Sequence, residues 1–499
     1  MKKIKILLGL LLILCSASAG AQVLKGSYFL DHSVNRHKMN PAFAPRANYF
    51  QLAALGNTGV GMYSNLDLTS FTTPLDNGKL GTFLHPSVSV DDFDRMMPNH
   101  PHLDMDFSTT LLSFGFYTKR KSFWTFELDT RAMLDVDLPR DIFVFMKKGS
   151  GTSGESFNIG NMNAYLTAGI QASLGYSRDI MKGLRAGIKL RAIAPIGYAG
   201  LNLENMRLNT SEDKWSITTE GYAYAAVNGL DVNLPEGDTS PEIGFNLSNA
   251  LNNGVVAGYG FSVDLGAEYK LQIGSIFDGL AVSAAVTDLG GIFYKKNAVS
   301  AFETHGKAEW AGFQDVSVLD EIAFEDSVNE LVDNLGGLVN LSEMKAGNSF
   351  SRSTMPRFYV GVEQPFLWRT MSVGLLYSAR VSHSYTRHEL TASYNLNPCK
   401  WFALGLNYSF LNTGGTIGWI FELTPKAGPT FYIGGDYLTM EFVKAPLLER
   451  MLGEFPLQLP EQGLTTWVIP TSMRLNLNFG FAFNLGSKYA NPKKEKKNK

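Results

Sequence analysis

Large apolar residues alternate strictly with small or polar residues in several segments of the chain. In the C-terminal segment the apolar set is Leu475, Leu477, Phe479, Phe481, Phe483 and Leu485, and the intervening set is Asn476, Asn478, Gly480, Ala482 and Asn484. The same alternation occurs over residues 166–176, 261–270 and 402–410. A period of two residues indicates β-strands whose two faces lie in unlike environments.

The length of these segments distinguishes two architectures that share the alternation. A soluble β-sandwich would place the apolar face inside, but its strands usually have about 5 or 6 residues. The alternating segments here run for 10 to 16 residues, and a strand that crosses a membrane needs about 9–11. The second face is small and polar, as in a barrel lumen. We therefore expect an all-β protein, a transmembrane antiparallel β-barrel, with the sandwich as the alternative.

Fourteen strands are predicted from the pattern. They cover residues 47–62, 104–118, 121–136, 163–178, 183–200, 255–272, 279–292, 355–366, 369–384, 387–397, 400–411, 415–424, 429–440 and 470–486. The connections after even-numbered strands are all short, and five of the seven after odd-numbered strands are long. Outer-membrane barrels have short periplasmic turns and long outer loops, so both termini are expected in the periplasm. Residues 202–226 and 296–313 also resemble strands. We interpret them as hairpins outside the membrane; if they cross it, the count becomes 16.

The N-terminus has the three parts of a secretory signal peptide. Three lysines precede the apolar run from Ile6 to Leu14, and Ala19-Gly20-Ala21 fits a small-x-small cleavage site. Residues 1–21 are therefore predicted to be a signal peptide. A transmembrane anchor needs about 20 apolar residues, more than this run provides. Cys15 raises a lipoprotein alternative, but Leu14 precedes it where such signals carry a small residue.

Residues 22–46 lack the alternation and are rich in polar side chains. A barrel of about 14 strands is wider than the eight-stranded size that side chains alone fill. We therefore expect this segment to fold into the lumen as a plug, with Asn40, Pro41, Ala42 and Phe43 at its bend; a periplasmic strap outside the barrel is the alternative. Residues 47–486 form the barrel, and residues 487–499 form a basic periplasmic tail.

Composition narrows the classes of partner. Lys and Arg number 44 against 46 Asp and Glu, and only 18% of residues are charged. Removal of the three leader lysines leaves 41 − 46 = −5, which provides no basic surface for nucleic acid. Cys399 would then be the single cysteine, so no disulfide within the chain is expected.

The sequence contains few residues in patterns that indicate catalysis, metal binding or cofactor binding. No zinc-protease helix, nucleophile elbow or phosphate-binding loop occurs, so no enzyme, metal or cofactor is expected. His383 and His388 flank one tight turn, and His85, His100 and His102 share one loop, but neither set has the regular spacing of a metal site. Residues 325–335 have apolar residues at helical spacing and are predicted to form a short amphipathic helix in an outer loop.

Four charged residues fall on the predicted inward face of two neighbouring strands. Matching the periplasmic ends of strands 183–200 and 255–272 places Arg191 opposite Asp264, with Lys189 near Glu268. Opposite charges across a strand pair attract each other. The sequence therefore predicts ion pairs in the lumen.

Short motifs resemble a known group of barrels. Met39-Asn40-Pro41-Ala42-Phe43 resembles the Asn-Pro-Ala element of the fatty-acid-transporter superfamily. The segments from Leu265 to Lys270, from Ala285 to Gly291 and from Pro356 to Gly361 resemble those of an uncharacterised Bacteroidota outer-membrane barrel family related to it. The resemblance runs from about residue 38 to 486. It implies fourteen strands with an N-terminal plug, and it includes the PorV-type barrels that assist protein secretion. The Lys-rich tail departs from the pattern.

These observations predict a non-enzymatic barrel in the cell outer membrane. The expected function is passage of small apolar molecules through a plugged lumen, with outer-membrane lipid around the barrel and a hydrophobic small molecule as its cargo. The alternative is a scaffold or binding role in protein secretion or surface assembly, with a secretion-system protein as partner. No binding-site signature transfers residue by residue from the resemblance.

Overall fold

The computed structural model describes most of the chain with defined gaps. The described residues are 24–31, 33–52, 56–67, 71–74, 80–82, 88–118, 122–148, 156–210, 215–233, 242–245, 252, 254–272, 277–310, 341–343, 350–367, 370–383, 385–399, 401–424, 428–438, 442–444, 468–470 and 472–486. The predicted signal peptide, the helix over 325–335 and the basic tail lie outside these residues.

Fourteen antiparallel strand positions close into a β-barrel. The first position is shared by two collinear pieces, β1 (Asn48–Leu52) and β2 (Asn57–Asp67), both of which pair with the next strand and with the last one. The other positions are β5 (His102–Tyr117), β6 (Phe123–Asp137), β7 (Ser156–Met181), β8 (Leu184–Thr210), β12 (Gly258–Lys270), β13 (Ala281–Tyr294), β17 (Arg357–Phe366), β18 (Met371–Val381), β19 (Thr386–Cys399), β20 (Phe402–Leu411), β21 (Gly414–Leu423), β22 (Gly428–Leu438) and β25 (Ser472–Gly486). The pairing of the first position with β25 closes the ring, which confirms the predicted fold class and strand count.

Shorter elements lie in the connections of the barrel. They are β3 (Thr72–Pro74), β4 (Leu80–Thr82), α1 (Val90–Met96), α2 (Arg140–Lys148), β9 (Trp215–Val227), β10 (Leu230–Asn233), β11 (Glu242–Phe245), β14 (Val299–Trp310), β15 (Leu341–Glu343), β16 (Ser351–Ser353), β23 (Phe442–Lys444) and β24 (Val468–Pro470), with 3-10 turns at Lys25–Ser27, Arg36–Lys38 and Lys296–Ala298. Among the described residues, no helix has both the length and the apolar character needed to cross a membrane.

The connections alternate in length around the ring. At one end, here called the short-turn end, they are residues 118–122, 182–183, 271–280, 367–370, 400–401 and 424–427. At the opposite, long-loop end, five of the seven connections are long, which agrees with the alternation predicted from the sequence. Ser89 caps α1 at this end by accepting a hydrogen bond from the Asp92 amide at 3.0 Å.

Two strands extend well beyond the ring at the long-loop end. β7 and β8 have 26 and 27 residues, more than twice the length that a membrane crossing requires. β9 pairs with the far half of β8, and β14 pairs with β9. The segments predicted at 202–226 and 296–313 therefore belong to this extension and are not additional positions in the ring.

The barrel is inverted in polarity relative to a soluble protein. Leu477 and Phe479 on β25 are 44% and 41% exposed, whereas the alternating Asn476 and Asn478 are 1% and 2% exposed. The same arrangement holds on the other barrel strands, which place aliphatic and aromatic side chains outward and Ser, Thr, Asn and charged side chains inward. An outer surface of this kind suits a hydrocarbon environment.

The prediction of one unbroken first strand was wrong. Phe50 pairs with Phe483 and Asn57 pairs with Gly480, so this strand uses seven residues where its partner uses three. The Gly56 carbonyl accepts hydrogen bonds from the Phe481 amide at 3.1 Å and from Gln51 Nε2 at 2.8 Å. Four extra residues, an even number, leave the alternation in phase on both sides, so the sequence pattern gives no sign of the break.

Candidate functional site in the barrel lumen

The N-terminal segment, residues 24–46, lies inside the ring of strands. Lys25 forms an ion pair with Glu389 on β19, and its amide donates to Asp436 on β22 at 2.9 Å. Tyr28 hydrogen-bonds Ser283 on β13 at 3.0 Å, on another part of the wall. Lys38 bonds Asp129 on β6 at 2.9 Å. These contacts attach the segment to widely separated strands, so it spans the lumen.

The residues predicted at the bend adopt a compact turn. Asn40 is fully buried; its Oδ1 accepts a hydrogen bond from the Ala42 amide at 3.0 Å, and its Nδ2 donates to the Ala267 carbonyl at 3.2 Å. One side chain therefore closes the turn and ties it to β12. Phe43 lies under the Arg36 guanidinium, 4.0 Å from the ring centroid.

Glycines of the barrel wall make room for this segment. At each of these positions a Cβ would approach the segment too closely, and the pairs are Gly187 with Pro41, Gly266 with Asn40, Gly361 with Tyr28, Gly374 with Phe29, Gly405 with Gly26, and Gly434 with Leu24. The alternation did not predict that these glycines leave space for the segment, because in that pattern glycine counts only as a small residue on the inward face. Inward glycines clustered on neighbouring strands were the available signal.

The register of β8 and β12 differs from the predicted one by two residues. Arg191 pairs with Ser262, and Lys189 pairs with Asp264. The predicted ion pair nevertheless forms diagonally, with Arg191 Nη2 2.8 Å from Asp264 Oδ2. A two-residue shift keeps every side chain on the same face, so the alternation does not distinguish the two registers.

The structure does not bring Lys189 and Glu268 together. Lys189 extends across Gly175 to Glu127 on β6, with Nζ 2.6 Å from Oε2, and it lies 3.3 Å from His37 Nδ1 on the N-terminal segment. Glu268 faces Arg36 of that segment at 4.0 Å and Lys270 at 3.2 Å. Both predicted lumen charges therefore belong to networks that include the N-terminal segment, which strand-pair reasoning did not consider.

Four arginines and two aspartates form a cluster in the middle of the lumen, which we call the arginine cluster. Asp288 contacts Arg131 at 3.1 Å and Arg357 at 4.0 Å and also pairs with Arg191. Asp106 contacts Arg131 at 3.7 Å and Arg357 at 3.6 Å and also pairs with Arg380. The alternation did not reveal this cluster, since its members come from six different strands.

Asp288 holds its central place because of a β-bulge. Its φ is 57°, and the pairing passes from Val263 with Leu289 to Leu265 with Val286. β13 therefore has one more residue than β12 at this point, and the extra residue bends the strand. In the sequence Asp288 breaks the alternation of its strand and is followed by Gly290 and Gly291, a pattern typical of a bulge. This pattern does not predict that arginines converge on Asp288.

A cavity of about 40 Å³ lies on the long-loop side of the N-terminal segment. We call it the outer cavity, and its lining includes Met133, Thr167, Ile193, Ile292, Tyr294 and Arg352. β6 and β8 both run from the short-turn end to the long-loop end. On β6 the cavity residue Met133 comes after Asp129, which touches the segment, and on β8 the cavity residue Ile193 comes after Lys189, which also touches it. The outer cavity therefore lies nearer the long-loop end than the segment does, and Arg131 and Asp288 of the arginine cluster are among the residues that line it.

Aromatic rings surround the guanidinium of Arg352 at the rim of this cavity. Its Cζ lies 5.0 Å from the ring centroid of Tyr165 and 5.5 Å from that of Tyr198. Phe350 stacks on Tyr294 with a centroid separation of 4.7 Å. About half of the residues that line the cavity are polar or charged, but most of the surface that they expose to it is apolar, as in many small-molecule sites.

The histidines considered as metal ligands lie apart or have other partners. His388 Nδ1 is 2.8 Å from the Tyr377 hydroxyl, and His383 packs edge-on against Tyr165. Burial, followed by the positive charges of Arg352 and Arg380, lowers the pKa of His383 to about 4, so this loop imidazole is neutral at neutral pH. His102 stacks on Tyr385 at 3.8 Å, and His85 lies outside the described residues. Within the described ranges, no group of three or more His, Cys, Asp or Glu residues is placed to hold a metal ion.

Solved outer-membrane barrels align with the chain over nearly its whole length, at low identity. The toluene transporter TbuX of Ralstonia pickettii is 9% identical over 91% of this chain and 94% of its own, with a TM-score of 0.40. The toluene transporter TodX of Pseudomonas putida is 9% identical over 93% and 95%, with a TM-score of 0.33. A FadL homologue of Pseudomonas aeruginosa is 10% identical over 93% and 96%, with a TM-score of 0.35.

Sequence comparison gives one family and no curated relative. No curated protein matches the chain. Residues 41–436, from the bend of the N-terminal segment to β22, match the family of unknown function DUF5723. Since this match covers well over half of the chain, the protein belongs to the DUF5723 family.

Proposed function

We propose that this protein is an outer-membrane barrel through which small apolar molecules pass, and that its N-terminal segment is the plug of that passage. The observation that carries the proposal is the position of the outer cavity. The surface exposed to this cavity is mostly apolar although the lumen wall is otherwise polar, and the cavity lies between the N-terminal segment and the long-loop end. A molecule entering from the long-loop end would reach this cavity first.

The outer surface supports placement in the outer membrane. Apolar side chains alternate outward along the barrel strands, and aromatic pairs lie toward both ends, as Tyr259 with Phe293 and Trp124 with Tyr176. Aromatic side chains at both rims are typical of membrane barrels. The parity of the connections supports a periplasmic position for the short-turn end.

The contacts of the segment support a plug that can move. It is attached by side-chain contacts, both polar ones such as Lys25 with Glu389 and apolar ones such as Tyr28 with Tyr359, and its described residues do not pair into the sheet before Asn48. The outer cavity is also too small for a drug-sized ligand while the segment is in place. Passage therefore requires the segment to shift.

Uptake of an uncharged aromatic probe tests this proposal. 1-N-phenylnaphthylamine would be added to cells that make the protein, and its fluorescence in the membrane would be followed with time. We expect faster uptake than in cells without the protein, and we expect Thr167→Trp, which fills the outer cavity, to abolish the increase. Leu166→Trp is the matched control, because Leu166 is the preceding residue on β7 and is 36% exposed on the outer surface.

The proposal fails if the wild type gives no increase, or if Thr167→Trp, inserted at wild-type level, takes up the probe as fast as Leu166→Trp. Inserted protein would be measured by the heat-modified migration of the barrel on gels.

A role in secretion or surface assembly is the second candidate. The extension of β7, β8, β9 and β14 favours it, because this sheet continues past the ring and has its own apolar core of Phe145, Ile159, Leu203, Met206, Leu208 and Ile217. A photo-crosslinker at the exposed Glu220 on β9 tests this role. Formation of one specific adduct at the surface of intact cells supports it, and labelling no stronger than that from the lipid-facing Leu166 contradicts it.

A further inference from the structure

A second cavity lies between the start of the N-terminal segment and the wall. It has a volume of about 20 Å³ and is lined by Lys25, Arg357, Tyr359, Ser378, Ala379, Arg380 and Arg387. Its four charged residues are all cations, and no carboxylate lines it. We call it the cationic cavity.

Several donors at this cavity have no acceptor. The buried Nε and Nη2 of Arg357 and Nε of Arg380 form no hydrogen bond with any described residue. The Arg380 side chain is only 3% exposed. Leaving such donors without an acceptor in a buried site costs free energy, and the cost is larger for charged groups. These groups therefore favour a bound acceptor.

The neighbouring carboxylates form ion pairs with the same cations but leave these donors without a hydrogen bond. Arg357 Nη2 lies 3.6 Å from Asp106 and Arg357 Nε lies 4.0 Å from Asp288, both beyond hydrogen-bonding distance. Asp106 pairs with Arg380 through Nη1, so Nε remains free. Glu389 pairs with Lys25 and accepts a hydrogen bond from the Tyr437 hydroxyl at 2.8 Å. Asp104 lies 3.6 Å from Arg387 Nη1. None of these acids lines the cavity.

We propose that the cationic cavity binds a small monovalent anion of halide size, such as chloride. A cavity needs roughly 10–15 Å³ to hold one water-sized particle, so this one has room for a single small ion. Arginine and lysine side chains donate hydrogen bonds and do not accept them. The hydroxyls of Tyr359 and Ser378 could accept from a water molecule, but water leaves the positive charge uncompensated, whereas a halide accepts from every donor and offsets that charge.

The bound anion would join the plug to the barrel. Lys25 belongs to the N-terminal segment, whereas Arg357, Arg380 and Arg387 belong to β17, β18 and β19. An anion among them adds an attractive contact to those that Lys25 already makes with Glu389 and Asp436. This site is separate from the outer cavity and does not depend on what the barrel carries.

Crystals of the full-length protein grown in sodium bromide give a direct test. We expect an anomalous bromide peak within hydrogen-bonding distance of Arg357 Nε and Arg380 Nε in the wild type. Absence of the peak overturns the proposal, since water alone then fills the cavity.

Thermal unfolding in detergent gives a test in solution. The midpoint temperature of the wild type should rise by roughly 3 °C or more as chloride is increased, and it should stay lower in gluconate of equal ionic strength, because a ligand that binds only the folded state stabilises it. Arg357→Gln should lose this chloride dependence. Ser378→Leu keeps every charge but fills the cavity, so it should also lose the chloride dependence of the midpoint temperature. This variant tests the anion site even if Arg357→Gln does not fold.

Arg352→Gln is the matched control, because it removes one lumen arginine outside the cationic cavity. It should keep the full difference between chloride and gluconate. Equal effects of the two salts on the wild type, or an unchanged chloride effect in Ser378→Leu, contradict the proposal.

Discussion

Charged residues inside this barrel are stabilised by partners from distant parts of the chain. Lys189 and Glu127 are separated by 62 positions, and Arg380 and Asp106 by 274. A buried charge is tolerated only when it is paired and hydrogen-bonded. The identity of each partner therefore depends on which side chains the closed ring brings within reach.

The Arg191–Asp264 pair should show energetic coupling. Asp264 is fully buried and accepts hydrogen bonds from Arg191 and from the Asp288 amide, each at 2.8 Å. We expect Asp264→Ala to lower the free energy of unfolding by about 3 kcal/mol, at the low end for breaking a buried pair, because Asp288 still neutralises Arg191. Arg191→Ala should lower the free energy of unfolding less in the Asp264→Ala variant than in the wild type. The coupling energy between the two substitutions should be about 0.5–3 kcal/mol.

Urea unfolding of the refolded barrel, followed by tryptophan fluorescence, measures these free energies for the two single variants and the double variant. Additive losses would show that the pair does not interact.

Gly187→Ala tests the close contact between the barrel wall and the N-terminal segment. A Cβ at Gly187 would overlap the backbone of Pro41, whereas one at Gly197 on the same strand would meet only Val227 at an ordinary 3.4 Å. We expect Gly187→Ala to displace the segment and raise uptake of small polar dyes, and Gly197→Ala to leave uptake unchanged. Equal permeability of the two variants, with both inserted, contradicts the contact.

The strand is the element that alternation predicts best. An even number of extra residues in the first strand position, and a shift of two residues between β8 and β12, both leave every side chain on its own face. A pattern with a period of two residues does not change when a strand shifts by an even number of residues. The pairing register could therefore be predicted from the sequence only where a tight turn joins two strands, as at residues 182–183. It could not be predicted for β8 and β12, which a long connection separates.

Deletion of residues 22–46 should open the lumen. Leu24, Tyr28, Leu30, Asn40 and Phe43 of this segment are each at most 2% exposed and occupy the interior of the ring. Since a 14-stranded barrel cannot be filled by its wall side chains alone, we expect an inserted barrel that admits small polar dyes. Dye influx into cells making the deletion variant, compared with the wild type, measures this effect. Unchanged influx at equal inserted protein would mean that other residues close the lumen.

The whole molecule has two unlike ends, and its orientation can be tested. We expect epitope tags at 150–154 and 449–453, which lie outside the described residues, to be reachable on intact cells. A tag within 178–183 at the β7–β8 turn, or within 426–428, should be labelled only after the outer membrane is opened. Antibody binding before and after permeabilisation measures this. Labelling of the second pair on intact cells would reverse the orientation.

The sequence alone determined the strands, their number, the alternation of short and long connections, and the inward or outward direction of most side chains. These features follow from local covalent geometry, because successive side chains of a strand point to opposite faces whatever it pairs with. The bulge at Asp288 could be predicted from the sequence for the same reason, because the alternation breaks at this residue itself.

Only the tertiary structure decided which charges meet. Lys189 was expected beside Glu268 on the neighbouring strand, but it bonds Glu127 across Gly175 and touches His37 of the N-terminal segment. The arginine cluster, the outer cavity and the cationic cavity likewise combine residues from distant strands. Closure of the ring and the path of the N-terminal segment through it set these distances. Both depend on packing between residues far apart in the chain, which a local pattern of residues does not encode.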